Sequence, residues 1–179
     1  MTLEYQLNFS DFLEHQLYFS AKSKLHKKNR NKTRWVVPII YMVLGLFLMF
    51  TKKNEIYILF FAFAILWYIF YPFYAKRRYK KHFENHINEN FKNRIGKEVT
   101  LIFDKSSHVI ESSDSGTQTK IKDSEFEKLI ELKEHFFLRL KSELSLIIPK
   151  RAIKDIEAFK NHFSDLNLEY KNEIEWEWK

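Results

Sequence analysis

Two histidines stand at the spacing of a metal site. His82 and His86 are four residues apart, so on a helix their imidazoles lie on one face, close enough to share a metal ion. Glu89 or Asn90 could supply a third ligand. Glu84 lies two residues from each histidine and points to the other side, so the segment lacks the metalloprotease pattern His-Glu-x-x-His. A solvated helix face is the favoured interpretation, and we expect no metal and no cofactor.

A second group contains the three residue types of a Ser-His-Asp catalytic triad. Asp104, Ser106, Ser107 and His108 lie close together in the sequence. Clusters of serine and aspartate between apolar runs are typical of turns, and a triad is recognised by its geometry rather than by neighbouring letters. We therefore expect a turn here and no nucleophile.

The composition excludes several classes of reaction. The chain has 179 residues, three Gly and no Cys, which leaves no thiol nucleophile, no disulfide and no cysteine-based zinc site. The three glycines are too far apart to form a phosphate-binding loop. No catalytic residue is therefore predicted. An enzyme is the third-ranked hypothesis, and it would gain support from a partly buried cluster among four titratable residues, Glu98, His108, His135 and Glu143.

Lys150 and Arg151 are the candidates for contact with an anion or an acidic partner. They follow a predicted strand and open a predicted helix, where positive charge opposes the favourable sign of the helix dipole. Cations placed against that preference suggest a use, such as contact with an acidic protein or a lipid headgroup. A solvated turn that points both side chains away is the alternative.

The net charge of +7 is unevenly distributed along the chain. Residues 1–21 carry −3, residues 22–81 carry +13 and residues 82–179 carry −3. A nucleic-acid binder would spread its bases over a folded surface, whereas these bases flank two apolar runs. The basic character therefore indicates a membrane, and no nucleic-acid partner is expected.

The two apolar runs are predicted to cross a lipid bilayer. Residues 35–50 and 56–74 contain no charged side chain. As helices they would reach about 24 and 28 Å, against a hydrocarbon core of roughly 30 Å. Pro38 would lie in a first turn and Pro72 near an end, where proline costs little. The alternative, a soluble pair of buried helices, would need more surrounding chain than remains.

The residues around the two runs predict an orientation. The short connection 51–55 requires an antiparallel hairpin, and the excess of Lys and Arg outside it predicts a multi-pass protein of the cell (inner) membrane with both termini cytoplasmic. Cysteines introduced at Lys53 and Ser113 should then label from opposite sides. The predicted interfacial aromatic residues are Trp35, Trp67, Tyr71 and Tyr74. The predicted membrane-flanking bases are Lys27, Lys28, Arg30, Lys32, Arg34, Lys76, Arg77, Arg78, Lys80 and Lys81.

The segment before the hairpin predicts part of a split domain. Residues 2–9 alternate as a strand, and residues 12–25 have the pattern of a helix. Ser10 and Asp11 offer a helix cap, with Asp11-x-x-Glu14 spaced as a capping box. Because a lone strand is not stable, this strand must pair with a segment that follows the hairpin.

The segment after the hairpin predicts a small antiparallel β domain. A helix from residue 76 should stop at Gly96, and about six short strands then alternate with polar turns. An amphipathic helix follows from Ile153 to a stop near Asn167 and should lie on the sheet. This order matches a pleckstrin-homology-like roll, with an irregular α+β sheet as the alternative. The fold class is therefore α+β, with a two-helix transmembrane hairpin inserted in the β domain.

The C-terminal tail alternates apolar and acidic residues from Leu168 onward. A last strand that pairs with a sheet edge is the favoured interpretation. Contact of Trp176 and Trp178 with the membrane interface or with a partner is the alternative. The predicted segments of the chain are 1–25, 35–50, 56–74 and 76–179.

The chain also resembles a known family. The stretches that carry the resemblance are YQLNFSDFLEHQLY near the N-terminus, the run Ile147-Ile148-Pro149-Lys150-Arg151, and the turn Lys133-Glu134-His135 before Phe136-Phe137-Leu138. In this order around two spans they are similar to the YcxB-like membrane proteins. The resemblance implies a small bacterial membrane protein with no assigned reaction, so it contributes a fold and a location and no catalytic residues.

The leading functional hypothesis is a non-enzymatic, membrane-anchored binding module or adaptor. Its cytoplasmic domain would engage an unknown protein or an anionic lipid, and the mechanism would be tethering, which raises effective concentration. The alternative is a protective, immunity-type or regulatory subunit whose spans pair with those of another membrane protein. Gly45 allows close helix contact, within the hairpin or in a homo-oligomer.

Overall fold

The computed structural model describes residues 1–51, 55–104, 107–114, 116–164, 166 and 168–178. The helices are α1 (Phe9–Lys22), α2 (Lys24–Phe50), α3 (Tyr57–Asn90) and α4 (Ile156–Ser164). The strands are β1 (Thr2–Gln6), β2 (Glu98–Asp104), β3 (Val109–Asp114), β4 (Thr117–Lys122), β5 (Phe126–Glu131), β6 (His135–Leu140), β7 (Ser145–Pro149) and β8 (Glu169–Asn172).

These elements form two compact units. The β unit contains Met1–His15 and Glu84–Glu177, and the helical unit contains Gln16–Phe83 and Trp178–Lys179. The predicted α+β class is confirmed.

The first sheet of the β unit joins residues from before and after the two long helices. Its order is β1-β2-β3-β4, and every neighbouring pair is antiparallel. Leu3 lies opposite Leu101 across the β1–β2 pair. The prediction that the N-terminal strand pairs with a segment after the apolar runs is therefore confirmed. The strand ends earlier than predicted, at Gln6, because Asn8 already caps the next helix.

The second sheet has the order β7-β6-β5-β8. The β5–β6 and β6–β7 pairs are antiparallel, whereas β8 runs parallel to β5. The predicted antiparallel strands are therefore confirmed for β1 to β7, and the tail pairs with a sheet edge as predicted, although as a parallel strand. A parallel neighbour needs a crossover connection, and α4 precedes β8 in the chain. The direction of β8 is set by this helical connection rather than by a hairpin turn.

The tail forms a shorter strand than its alternation predicts. The strand ends at Asn172, whose side-chain carbonyl accepts a hydrogen bond from the backbone N–H of Ile174 at 3.2 Å. The N–H of Trp176 then bonds to the carbonyl of Glu173 at 2.9 Å, so the chain turns instead of extending. In the helical unit, the indole N–H of Trp178 donates to the carbonyl of Lys76 at 3.4 Å.

Helix α4 covers the interior of both sheets. Phe159 is fully buried, and its ring lies 6.2 Å from the ring of Phe103 on β2 and 4.9 Å from that of Phe136 on β6. Phe163, one turn later, is also buried. The predicted amphipathic stripe is therefore real. The helix starts at Ile156 rather than Ile153, and the predicted stop at Asn167 lies outside the described residues.

The N-terminal helix α1 begins earlier than predicted, and its cap is a different residue. Asn8 Oδ1 accepts the backbone N–H of Asp11 at 3.0 Å, and Asp11 Oδ2 accepts the backbone N–H of Asn8 at 2.7 Å. This reciprocal pair is a capping box between Asn8 and Asp11, three residues before the predicted box of Asp11 and Glu14. The box fixes the Asp11 carboxylate at the first turn of the helix.

The apolar run 35–50 and all but the first residue of the run 56–74 lie within helices that are longer than the runs themselves. Helix α2 extends from Lys24 through the basic segment, so Pro38 lies in its interior and not in a first turn. Helix α3 continues to Asn90, so Pro72 is also interior. Both prolines lack the N–H for a helical hydrogen bond, but the flanking charged segments continue the helix beyond them. After α3 the chain turns, and Gly96 adopts φ +75°, a conformation that glycine tolerates.

Helices α2 and α3 pack on each other within the helical unit. Gly45 on α2 is buried, and a Cβ added there would lie 2.8 Å from the ring of Phe61 on α3. Closer to the basic ends, the rings of Trp35 and Tyr68 are 4.9 Å apart. The close helix contact predicted at Gly45 therefore occurs inside the hairpin.

Candidate functional site

The turn between β7 and α4 carries the two cations that the sequence singled out. Lys150 and Arg151 lie in the short 3-10 turn that follows Pro149. The backbone N–H of Lys150 donates to the carbonyl of Glu134 at 2.8 Å, which ties the turn to the start of β6. Both side chains are thereby directed toward carboxylates of the β unit rather than away from it.

Arg151 forms a bidentate ion pair with Asp11. Its Nη1 donates to Oδ1 at 2.9 Å and its Nη2 donates to Oδ2 at 2.5 Å, and Nη2 also donates to the carbonyl of Gln6 at 2.9 Å. The Asp11 side chain is 1% exposed, whereas that of Arg151 is 48% exposed. A fork-to-fork pair of this kind combines charge with fixed geometry. It joins the start of α1 to a turn far away in the sequence.

His135, the first residue of β6, completes this arrangement. Its Nε2 lies 2.7 Å from Asp11 Oδ1, and its Nδ1 lies 3.0 Å from Glu14 Oε2 without the direction of a good hydrogen bond. Burial alone would lower the pKa of His135, but the two carboxylates outweigh it and raise the pKa to about 9. Burial likewise would raise the pKa of Asp11, but Arg151 and His135 hold it well below its usual range. We call Asp11, Glu14, His135 and Arg151 the Asp11 cluster.

A second histidine, His15, lies beside the cluster, and its pKa is lowered whereas that of His135 is raised. The Nε2 of His15 lies 2.5 Å from the hydroxyl of Ser145 on β7, and its ring meets that of Phe137 edge-on at 5.2 Å. Burial lowers the pKa of His15 to about 4, and the charge of nearby His135 adds to this effect. At neutral pH one histidine is therefore protonated and its neighbour is neutral.

A second buried carboxylate holds Lys150. Glu131 at the end of β5 is 3% exposed, and its Oε1 accepts from Lys150 Nζ at 2.7 Å. Its Oε2 accepts from Lys160 Nζ at 2.8 Å and from the hydroxyl of Tyr170. Burial would raise the pKa of Glu131, but these donors lower it to about 2. We call Glu131, Lys150, Lys160 and Tyr170 the Glu131 cluster, and it connects β5, the turn, α4 and β8.

Both clusters are suited to stabilising the β unit rather than to catalysis. Each oxygen of Asp11 already accepts two hydrogen bonds, so the carboxylate has little capacity left for a substrate. His135 is protonated at neutral pH and cannot act as a general base there. Contact of Lys150 and Arg151 with an external anion stays a prediction. Such an anion would compete with Glu131 and Asp11 for the same donors.

The other residues that the sequence analysis considered as triad members, metal ligands or titratable groups of an enzyme lie outside these clusters. His108 pairs with Asp123 at 2.6 Å and is 75% exposed, while Ser106 lies outside the described residues. The amide of Asn90 is 3.0 Å from His86 Nδ1 and also donates to the His86 carbonyl. Glu143 is 84% exposed. Within the described part of the chain, no three His, Asp or Glu side chains are grouped as metal ligands.

The predicted flanking residues all lie on α2 and α3. Their side chains are exposed except those of Arg30 and Arg34, which are partly buried on aromatic rings. Arg30 lies 5.4 Å from the ring centre of Tyr79, and Arg34 lies 4.3 Å from that of Tyr68. The predicted interfacial residues also pack together, since the rings of Trp67 and Tyr71 stack at 5.5 Å. The cation–π contacts of Arg30 and Arg34 could not be predicted from the sequence.

The β unit contains an open groove that sequence reasoning missed. Its cavity is about 510 Å³ and is lined by the end of β3, by β4 and by the β6–β7 turn. Ser112 and Thr119 face each other across the β3–β4 pair and line it, and Leu144 at its edge is 70% exposed. Arg94 forms an ion pair with Asp114 on its wall, with Nε at 2.8 Å. The signal in the sequence was the lack of apolar alternation beyond Ile110 in β3.

The fold thus defines an α+β protein with two long apolar helices inserted near its N-terminus. Within it, residues 106–163 match the family model described as YcxB-like protein. The resemblance predicted from the sequence is confirmed over this segment, which includes β3 to β7 and most of α4. No curated protein and no solved structure matches the chain. The matched segment contains His135, Glu131, Lys150 and Arg151 but not Asp11.

Proposed function

We propose that this protein is a two-span membrane protein that holds its β unit at the cytoplasmic face as a binding module for another protein. The observation that carries the proposal is the pairing of β1 with β2 around the inserted helices. Both flanks of the hairpin belong to one compact unit. A hairpin that crosses the bilayer twice returns the chain to the side from which it started, as this pairing requires.

The surfaces of α2 and α3 support insertion in a bilayer. By length and composition both helices are able to cross a membrane, and only 11% and 17% of their most apolar windows is buried. A soluble protein rarely exposes a continuous apolar surface of this extent. The most exposed apolar residues of the two runs include Phe47, Phe50, Ile65, Phe70 and Phe73.

The charge distribution supports the orientation. The basic residues of α2 precede its apolar run, and those of α3 follow its apolar run. Lysine and arginine beside spans favour the cytoplasmic side. Lys52 and Lys53 are the two bases of the connection between the runs.

The topology of the β unit supports a pleckstrin-homology-like roll. Two antiparallel meanders, β2 to β4 and β5 to β7, are followed by a helix that packs against both sheets, and β1 pairs with the edge of the first meander. The parallel strand β8 is an addition to that arrangement. Such rolls present edges and loops as binding surfaces around a rigid core.

The groove between β4 and the β6–β7 turn is the surface we assign to the partner. It combines an exposed leucine, hydroxyl groups and one ion pair, which suits a polar peptide segment with an apolar anchor. Tethering to the membrane would raise the effective concentration of that partner near the bilayer.

The orientation is testable because the chain has no native cysteine. Cysteines at Glu55, in the connection, and at Gln118, on exposed β4, should react from opposite sides of the membrane. We expect an impermeant maleimide to label Glu55→Cys in intact cells and Gln118→Cys only after permeabilisation. Labelling of Gln118→Cys in intact cells would show the opposite orientation. Release of the protein from membranes by an alkaline wash, with both cysteines then labelled, would show that the protein does not span the membrane.

The binding role is testable by photocrosslinking in cells. A photoreactive phenylalanine analogue at Leu144, in the groove, should give a discrete adduct with one protein. The matched control is Ile102, an exposed apolar residue on β2 that does not line the groove. A third site, Phe47 on α2, reports pairing through the spans. An adduct at Phe47 alone would favour the alternative hypothesis of a subunit that pairs with another membrane protein through its spans. Equal adducts at Leu144 and Ile102 would contradict specific binding in the groove.

A further inference from the structure

A cleft lies between α2 and α3 within the helical unit. Its volume is about 340 Å³, and Asn29 and Thr33 of α2 face residues of α3 across it. The polar and aromatic residues of α3 that line it include Tyr74, Arg78, Tyr79 and His82. It lies where the apolar run of α2 begins and that of α3 ends.

Among the described residues, the lining of the cleft offers hydrogen-bond donors and no carboxylate. Arg78 supplies a guanidinium, and within the described residues it forms no ion pair with an acidic side chain. The hydroxyl of Thr33 donates to the carbonyl of Asn29 at 3.2 Å, and the tyrosines Tyr71, Tyr74 and Tyr79 are also among the lining residues. A guanidinium beside hydroxyl groups is a common arrangement for binding phosphate.

The helices that form the cleft carry an excess of positive charge. Residues 22–81 contain fourteen Lys and Arg residues against one acid, Glu55. Arg30 lies on the ring of Tyr79, which lines the cleft. Arg30 Nη1 and Arg34 Nε are buried and have no hydrogen-bond partner in the described part of the chain. The excess of positive charge favours an anion at the cleft, whereas the unpaired nitrogens of Arg30 and Arg34 belong to residues that do not line it.

We propose that this cleft binds the phosphate of an anionic phospholipid headgroup. The proposal rests on the proposed function, since it requires the apolar runs to lie in a bilayer. The cleft then stands at the depth of the headgroups, where phosphate is concentrated. The acyl chains would lie on exposed apolar residues next to it, such as Ile39 and Phe73. The tyrosine rings supply the amphipathic contacts favoured at this depth.

The neighbouring base provides a matched control. Arg77 and Arg78 carry the same charge on successive positions of α3, but successive positions on a helix point about 100° apart. Arg78 lines the cleft and Arg77 does not. General attraction to an anionic surface would treat the two residues alike, whereas the cleft distinguishes them.

The experiment uses the full chain reconstituted in nanodiscs of equal parts phosphatidylcholine and phosphatidylglycerol. After extraction in mild detergent, native mass spectrometry counts the lipids that remain bound. We expect the wild type to retain phosphatidylglycerol, Arg78→Gln to retain at least about fivefold less, and Arg77→Gln to match the wild type. Equal retention by all three proteins, or equal loss in both variants, would overturn the site.

Free phosphate is the other source of the same chemistry. A second arm adds inorganic phosphate in millimolar excess during extraction. Retention of phosphatidylglycerol in its presence supports a lipid site, and displacement by phosphate alone would overturn the lipid assignment. Insertion is scored separately by the cysteine labelling of Glu55→Cys and Gln118→Cys. Failure to retain lipid in an inserted protein therefore rejects the cleft without rejecting the membrane anchor.

Discussion

Asp11→Asn is expected to lower the free energy of unfolding of the β unit by about 3–5 kcal/mol, the range for breaking a buried ion pair. The substitution keeps the size of the side chain and a carbonyl oxygen that accepts the N–H of Asn8. It removes the negative charge that faces His135 at 2.7 Å and Arg151 at 2.5 Å. Two cations would then remain close together, and among the described residues the partly exposed Glu14 is the counter-charge left beside His135.

The effect can be measured on the full chain in detergent. After equilibration in urea, a short deuterium pulse reports protection of the β6 and β7 amides by mass spectrometry. The matched control is Glu111→Gln, because Glu111 pairs with Lys120 at 2.6 Å on an exposed face of the same unit. We expect this control to shift the unfolding free energy by less than about 1 kcal/mol. Equal shifts in the two variants would show that the Asp11 cluster does not hold the β unit together.

The stability of the β unit is expected to fall as the pH rises from 6.5 toward 9. The pKa of His135 is raised from 6.5 to about 9 in the folded chain. The folded state therefore binds more protons than the unfolded state in this window. The stabilising contribution is fully present below pH 6.5 and is lost as the pH rises through the folded pKa. At 1.36 kcal/mol per pKa unit its full size is roughly 3 kcal/mol.

His135→Gln isolates this contribution, because a glutamine can donate to Asp11 but does not titrate. Equilibration in urea at each pH, followed by a deuterium pulse at one fixed pH, gives the two profiles. The wild type should lose stability across the window while His135→Gln stays nearly flat. His108→Gln, which changes an exposed histidine, should keep the wild-type slope. A wild-type slope in His135→Gln would mean that another group carries the pH dependence.

The clusters also determine how contacts with an external partner can be probed. Lys150→Glu or Arg151→Glu would place a new carboxylate beside a buried one at Glu131 or Asp11. Loss of binding in these variants would then report loss of folding as well as loss of contact. The groove and cleft variants avoid this difficulty, because Leu144 and Arg78 lie outside both clusters.

The positions of the elements follow largely from local pattern. The two apolar runs, the alternation of Val99, Leu101 and Phe103 and the stripe of Phe159 and Phe163 each predict the element that forms. The physical basis of these predictions is that one face of a helix or strand is buried. The apolar residues of that face therefore recur in the sequence every two residues in a strand and every three or four in a helix. Boundaries were less predictable, because the Asn8–Asp11 cap and the extension of α2 through its basic segment depend on hydrogen bonds that periodicity does not encode.

The candidate sites depend on contacts between distant residues. Asp11 was predicted only as a cap, and Lys150 and Arg151 were predicted only as cations at an unfavourable helix position. Their pairing joins residues 140 positions apart in the case of Asp11 and Arg151. A single sequence carries no periodic signal for such a pair, since any buried carboxylate needs a cation but the sequence does not specify which one.

Several features can be predicted from the amino-acid sequence: the two apolar helices, the concentration of positive charge around them, the order of strands and helices, and the need for β1 to pair with a segment after the hairpin. These properties follow from composition and short-range periodicity. Other features become visible only in the folded chain: the parallel direction of β8, the Asp11 and Glu131 clusters, the groove at β4 and the cleft beside Arg78. Each of these depends on which surfaces meet when the elements pack, and that choice minimises exposed apolar area and unpaired charge over the whole chain at once.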